Sequence, residues 1–287
     1  MKFTVKEKTL LADFLLEKFG SSKTKIKQLL KHGAITVNGM EAGRADAELK
    51  PGDLVEIGKK GPAMVKAKAP FPVLFEDEYL IAAEKPAGLL SISSETEKTN
   101  TFYRLVSDYV KRKGGPGAKI FIVHRLDRDA SGAMVFAKNR ETKEALQKNW
   151  DKTEKLYYAV VEGVPAKEEG TIKGFLCENK AHLVYACDKD APGAQYAVTH
   201  YRVLKRTRDL ALLEVRLQTG RKNQIRVHLA DIGCPIIGDK KYGAKRKTHL
   251  WGMALHAHSL SFSHPATGKR ISVKSPMPGS FSQMASF

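Results

Sequence analysis

The stretch HRLDRDASG at residues 124–132 sets two carboxylates among basic side chains. Asp127 follows Leu126, whose packing would fix its place, and Arg125 and Arg128 flank it. A nearby cation favours the ionised form of a carboxylate. An ionised, positioned carboxylate serves as a nucleophile or a base. The apolar runs KIFIV and AMVFAK on either side predict a loop held between two strands, where catalytic groups commonly sit. The plainer alternative is a salt-bridged loop aspartate. Asp129, just before Ala130-Ser131-Gly132, reads as a turn former whose side chain caps loop amides. His124 reads as a hydrogen-bonding residue that fixes the loop, not as a general base.

Other candidate chemistry is thinner. His249, His256 and His258 suggest a metal site, and the last two fall on one side of an expected strand. No cysteine or acidic partner follows them, so they read as structural histidines and no metal is expected. TGRK at 219–222 lacks the spaced glycines of a phosphate loop. GxGxxG and Walker patterns are missing too, which argues against a nucleotide-binding, doubly wound fold. Cys177, Cys187 and Cys234 are scattered and odd in number. They read as reduced thiols of a cytosolic protein, neither a disulfide framework nor a zinc site.

The balance of charge narrows the partners. The 287 residues hold 49 Lys+Arg against 31 Asp+Glu, a formal net charge of +18. That excess points to an anionic partner, nucleic acid or a membrane surface. No apolar run approaches the ~20 residues needed to span a bilayer. The first twenty residues carry acids and lysines throughout, unlike a signal peptide. Between Glu17 and Glu41 there are five lysines and no acid, and after Asp239 eight Lys/Arg and no acid. Ordinary surfaces mix the two signs. Arg221 and Lys222 read as contacts to phosphates of such a partner or as braces of the fold.

The elements that must carry these residues fall into two parts, and no internal repeat is visible. Residues 59–70, KKGPAMVKAKAP, lack apolar periodicity and read as a linker between a domain at 1–58 and one at 71–287. TLLADFLLEKFG predicts an amphipathic helix stopped by Gly20. SSKTKIKQLLKHG predicts a second, with Ser21 or Ser22 as N-cap and Gly33 as stop. Its Ile26, Leu29 and Leu30 share a face, while Lys23, Lys27 and Lys31 line the adjacent one. AITVNGMEA then predicts a strand with an Asn-Gly turn, and LKPGDLVEI a Pro-Gly turn into another strand. This order resembles the S-four-type RNA-binding domain, over roughly residues 3–58.

From residue 72 the chain is rich in strands, including KLYYAVVEG, AQYAVTHYRVL, LALLEVRLQTG and a late hairpin turning at Thr267-Gly268. Helices are expected at TNTFYRLVSDYVKRK, ETKEALQKNWD and QIRVHLADIG. The mixture implies an α+β fold with a mostly antiparallel central sheet. Five blocks occur in order: EDEYLIAAEKPAGL, HRLDRDASGAMVFAK, EKLYYAVVEG, LQTGRKNQIRVHLADIGCPIIGDKKYG and ALHAHSLSFSHPATG. Together they resemble the pseudouridine synthases of the ribosomal large-subunit family, over about residues 72–278. Two departures stand out. Ala130 replaces the family's usual threonine, and Lys222-Asn223 replaces the commoner Thr-His; the two changes could mark a subgroup with a different RNA target.

The resemblance implies isomerisation of uridine in RNA without metal, nucleotide or redox cofactor. It makes Asp127 the catalytic aspartate, with its role as nucleophile or base left open. It makes Tyr157 the tyrosine that stacks on the target base, with Tyr158 pointing the other way along the strand. Arg226 becomes the cation that pairs with the aspartate. Lys85-Pro86 matches the family's first motif, where packing and turn geometry are the expected role. Arg125, Arg128, Arg221, Lys222 and the lysine row Lys23, Lys27 and Lys31 become RNA contacts. The expected partner is ribosomal or transfer RNA, bound by a cytoplasmic monomer that touches no membrane. A non-catalytic RNA-binding or ribosome-assembly protein is the main alternative, and a metal-dependent RNA hydrolase a third.

Overall fold

The structure is a computed structural model that describes residues 1–20, 22–31, 33–58, 69–246 and 252–284; the side chains of Phe19, Lys31 and Glu41 are outside that description. Most of the expected linker, at 59–68, lies outside the described residues, as do Ser21 and His249. The chain forms two compact units, Met1–Ala69 with Val106–Lys119 and Pro70–Leu105 with Ile120–Phe287.

The first unit carries the helices Leu11–Phe19 and Lys23–Lys31. The first helix ends as its glycine predicts. Gly20 is left-handed (φ 58°, ψ 20°) and its N–H donates to Leu16 O at 3.1 Å. On the second helix Ile26 and Leu30 are buried with Leu11, Phe14, Leu15 and Val55, while Lys23 and Lys27 are exposed. The strands Lys2–Thr4, Leu54–Ile57, Ile35–Val37 and Met40–Glu41 form an antiparallel sheet in that order. The last pair turns at Asn38 (φ 52°) and Gly39 (φ 78°), the two positive φ values that a two-residue hairpin turn requires.

The second unit is built on one eleven-stranded sheet. Its main order is Val184–Cys187, Glu169–Glu178, Gln195–Arg206, Leu210–Leu217, Glu154–Glu162, Leu255–Ser263, Ser131–Ala137, Leu80–Lys85 and Val73–Glu76. Phe121–Ile122 and Arg270–Lys274 add to it at the side. All its pairings are antiparallel except Ser131–Ala137 beside Leu255–Ser263. The expected α+β fold is what the chain adopts. The parallel pair explains Gly132. Its φ of 115° is closed to other residues, and a Cβ there would run into the Ala257 backbone.

Two findings depart from the sequence reading. Glu169–Glu178 and Val184–Cys187 are strands, although EGTIKGFLCE has two glycines and little apolar alternation. Its backbone is satisfied by partners on both sides, which outweighs weak propensity. Cys177 and Cys187 are joined as a disulfide across these two strands, with Cα atoms 5.9 Å apart. This corrects the expectation of three reduced thiols: only Cys234, which is buried, is free among the described residues. The cause is register. Phe175 sits opposite Cys187 and Cys177 opposite Tyr185, so both sulfurs lie on one face in diagonal positions.

Candidate active site

The loop 124–130 is held by groups far from it in sequence. Ser91 Oγ donates to Leu126 O at 2.6 Å and accepts Leu126 N–H at 3.0 Å, so one hydroxyl fixes the residue before Asp127. Buried Lys85 places its ammonium on three carbonyls, Pro86 and Leu89 at 2.7 Å and Arg128 at 3.0 Å. Its donors are thereby filled inside the fold. Burial pulls its pKa down to about 8 against the opposing charges of Asp129 and Asp127. His124 Nε2 accepts Val135 N–H at 3.1 Å and its ring stacks on Trp150 at 4.5 Å. Burial first, and Lys155 second, hold its pKa down at about 3, so the imidazole is neutral. Asp129 differs from its reading. Its side chain pairs with Arg128 Nε at 3.2 Å, and its carbonyl accepts Met253 N–H at 3.0 Å. It binds a guanidinium where a cap on loop amides was expected.

Asp127 meets the helix Gln224–Asp231 through Arg226. The helix Gln224–Asp231 is anchored by buried Gln224. Its amide nitrogen donates to Val198 O and Thr199 Oγ1, while its oxygen accepts from Thr219 Oγ1 and Arg221 N. Two residues on, Arg226 Nη1 donates to Asp127 Oδ2 at 3.0 Å. Its other two nitrogens grip Asp239, at 2.6 and 2.8 Å. Asn223 Oδ1 accepts from Nη1 at 3.1 Å, and the Tyr242 ring lies 4.8 Å beneath the guanidinium. Burial works against the Arg226 charge, yet Asp239 and Asp127 outweigh it and raise the pKa. Exposure grades along this line: Asp239 is 1% exposed, Arg226 13% and Asp127 30%. A buried carboxylate orients the arginine, and the arginine presents a charge to the carboxylate at the opening.

Tyr157 and Tyr158 lie on opposite faces of the strand Glu154–Glu162. Tyr157 borders the opening beside Asp127, and burial with the nearby Asp127 charge keeps its hydroxyl protonated by raising its pKa. Tyr158 instead packs its ring 4.5 Å from His258. Asp127, Tyr157, Arg125, Arg221 and Asn223 line a cavity of about 510 Å³ that runs on to Trp150 and Lys155. Its size suits a nucleotide, within the ~300–1,000 Å³ of ligand pockets.

The predicted cations are not equivalent. Arg125 and Arg128 are exposed on the loop. Arg221 Nε donates to Tyr196 O at 3.1 Å and lines the cavity. Lys222 is already paired with Glu178. Asn223 is left-handed (φ 53°), a conformation asparagine tolerates, and its amide bridges Arg226 to the Tyr242 hydroxyl. In this chain Lys222 thus holds a neighbouring hairpin and Asn223 the arginine. Asp239, Asn223, Ser91 and Gln224 carried no assignment from the sequence. The block GDKKYG held the one available signal, an acid just before a long basic stretch. His256 Nδ1 bonds Ser131 Oγ at 2.8 Å, and His258 Nδ1 donates to Ser275 O at 2.7 Å. Among the described residues no three His, Cys, Asp or Glu side chains are grouped to hold a metal.

Known proteins share this arrangement of sequence and fold. The family described as RNA pseudouridylate synthase matches residues 79–231, and the S4 domain matches residues 10–55. An uncharacterized RNA pseudouridine synthase, YlyB, of Bacillus subtilis (strain 168) is 34% identical over 271 residues, covering 92% of this chain and 88% of its own length. A ribosomal large subunit pseudouridine synthase D of Pseudomonas aeruginosa is 32% identical over 284 residues, covering 91% of this chain and 85% of its own. Among solved structures, human RNA pseudouridylate synthase domain containing 4 superposes with a TM-score of 0.62 at 25% identity, covering 73% of this chain and 90% of its own.

Proposed function

The chain belongs to the RNA pseudouridylate synthase family, and from that premise we propose that it isomerises uridines of large-subunit ribosomal RNA with Asp127 as the reacting carboxylate. In this reaction the bond from N1 of uracil to C1′ breaks and a bond from C5 to C1′ forms. C5 gives up a proton and N1 takes one, so atoms and electrons balance within the substrate.

Asp127 attacks or accepts a proton at the opening, held in place by Arg226. Arg226 is a positioning residue, oriented by buried Asp239. Tyr157 stacks on the base and keeps a neutral hydroxyl beside the carboxylate. A stacked uridine must first leave its neighbours, at about a few kcal/mol. An aromatic platform returns roughly 1–3 kcal/mol of that. Arg125, Arg128 and Arg221 meet phosphates at the rim, and Lys222 joins them by exchanging Glu178 for phosphate. Residues 1–58 act as a separate RNA-holding module through Lys23, Lys27 and Lys31, ahead of a catalytic domain at 71–287. One chain supplies Asp127, Tyr157, Arg226 and Asp239, so the protein acts as a monomer, in the cytoplasm where ribosomal RNA is found.

The observation that carries this reading is the Arg226 fork between a partly exposed and a buried carboxylate. The test is carbodiimide mapping with primer extension on RNA from cells with and without the gene. Stops in large-subunit ribosomal RNA that vanish with the gene and return with it are expected. Stops confined to transfer RNA would move the target, and an unchanged map would end the proposal.

A further inference from the structure

The hairpin formed by Glu169–Glu178 and Val184–Cys187 is tied to the active site at several points. Glu178 pairs with Lys222, next to Asn223. The Lys241 ammonium donates to His182 O at 2.9 Å, next to Tyr242. Leu176 and Val184 are buried with Val227 of the Arg226 helix, and Tyr242 packs against the same cluster. Asn223 and Tyr242 are themselves two of the groups that hold Arg226. The hairpin therefore clamps the two loops that frame the guanidinium. Yet among the described residues Val184–Cys187 is the last strand of the sheet, paired on one side only. A strand so placed has few ladder hydrogen bonds to keep it closed. The Cys177–Cys187 bond crosses this weak point, directly beside the clamp.

We propose that Cys177 and Cys187 form a redox-modification site, a dithiol–disulfide pair whose oxidised state braces the hairpin against the Arg226 loops and whose reduced state loosens them. The inference rests on the proposed role of Arg226. Its reactants are low-molecular-weight thiols and disulfides. Cys177 is 3% exposed and Cys187 is only partly buried, so exchange enters at Cys187. A thiolate attacks Cys187 Sγ, the bond to Cys177 Sγ breaks, and Cys177 leaves as a thiolate that takes a proton. A second thiolate then attacks the mixed disulfide and releases Cys187. Two electrons pass to the protein and the reagent leaves as its own disulfide. Free Cys234, buried below another part of the sheet, takes no part.

The experiment compares full-length wild type, Cys177→Ser/Cys187→Ser and Cys234→Ser after equilibration in glutathione buffers from reducing to oxidising. Three readouts are taken: free thiols, amide hydrogen exchange at 178–187 and 222–226, and turnover on RNA from the deletion strain. Wild type should move from three free thiols to one. On reduction its exchange should quicken in both segments together, and kcat/KM should fall by about 3- to 10-fold, the size of coupling carried between packed networks. Cys234→Ser should repeat this switch. The double variant should stay at the reduced level in every buffer. Wild type that keeps three thiols in oxidising buffer, or whose exchange at 222–226 ignores its thiol count, would overturn the proposal. Should the double variant fail to fold, the wild-type titration alone still decides. Exchange is read without substrate, so failure of the pseudouridine assay would count against the proposed function and leave this test standing.

Discussion

Two sets of cations, one gripped beside Asp127 and one on the surface, are held in different ways. Arg226 sits 13% exposed, gripped by Asp239 and Tyr242, with Nη1 shared between Asn223 and Asp127. Arg125, Arg128 and Lys222 are exposed, Arg128 paired with its neighbour Asp129 and Lys222 with Glu178. In the first set geometry is fixed before substrate arrives, and burial keeps solvent from weakening the pair. In the second set water and salt screen each charge, so under the proposed function it would steer and hold RNA without setting atoms in place. The difference teaches where chemistry and where binding should fail when a single cation is removed.

The largest effect should come from breaking the buried set. Arg226→Met leaves Asp239 in the interior with no countercharge. Removing one partner of such a pair costs about 3–5 kcal/mol of stability. Single-turnover conversion should also fall by about 100-fold, the usual cost of misplacing a reacting group. Asp239→Asn keeps shape and hydrogen bonding but loses the charge that orients Arg226. It should lower kcat clearly more than it raises KM, read by steady-state kinetics beside thermal melts. An Asp239→Asn enzyme that shifts KM alone would move Asp239 to substrate binding.

A smaller effect belongs to the loop that carries Asp127. His124 is held neutral with a pKa of about 3, and His256 likewise at about 4, chiefly by burial. The unfolded chain takes up protons on both near pH 6.5, so it binds more protons than the folded state between these limits. Stability should therefore be fully present above about pH 6.5 and fall as the pH drops towards 4. Melting temperatures across that range test this, and His124→Gln, which still accepts from Val135 N–H, should flatten part of the slope. A His124→Gln curve parallel to wild type would show that another group carries the acid loss.

The smallest effects belong to the exposed set. Arg125→Ala should leave the melt unchanged and lower the salt slope of RNA binding by about one unit. Lys222→Ala should lower it by less, because Glu178 already neutralises that lysine. Alanine at both Lys23 and Lys27 should act like Arg125→Ala, once per contact. Filter binding across a salt series reads all three, and equal slopes for Arg125→Ala and Lys222→Ala would erase the distinction between Arg125 and the Glu178-paired Lys222.

How much of this was legible in the sequence depended on the range of the interaction. Gly20, the Asn38-Gly39 turn and the buried Ile26 and Leu30 follow from local rules and sit where those rules put them. The α+β class and both family resemblances were legible in ordered blocks of motif. The partners of Arg226 were not. Asp239 lies 13 residues from it, and Ser91 lies 35 residues before the Leu126 it clamps. Neither residue type announces a partner that folding alone brings near. Asp129 shows the limit from the other side, since a turn-forming aspartate and one beside an arginine look alike in sequence. The cysteine pair was misread because ten residues of separation carry no register. Only the strand pairing puts both sulfurs on one face.

The central claim is that Asp127, not Asp129, is the reacting carboxylate of the two in HRLDRDASG. Asp127→Asn keeps the size and can still accept from Arg226, but it is a poor nucleophile and base. Asp129→Asn keeps a side-chain acceptor for Arg128. The measurement is single-turnover pseudouridine formation by both folded variants on RNA from the deletion strain. The account predicts no detectable product with Asp127→Asn and most of the wild-type rate with Asp129→Asn. Substantial turnover by Asp127→Asn, or a dead Asp129→Asn, would contradict it.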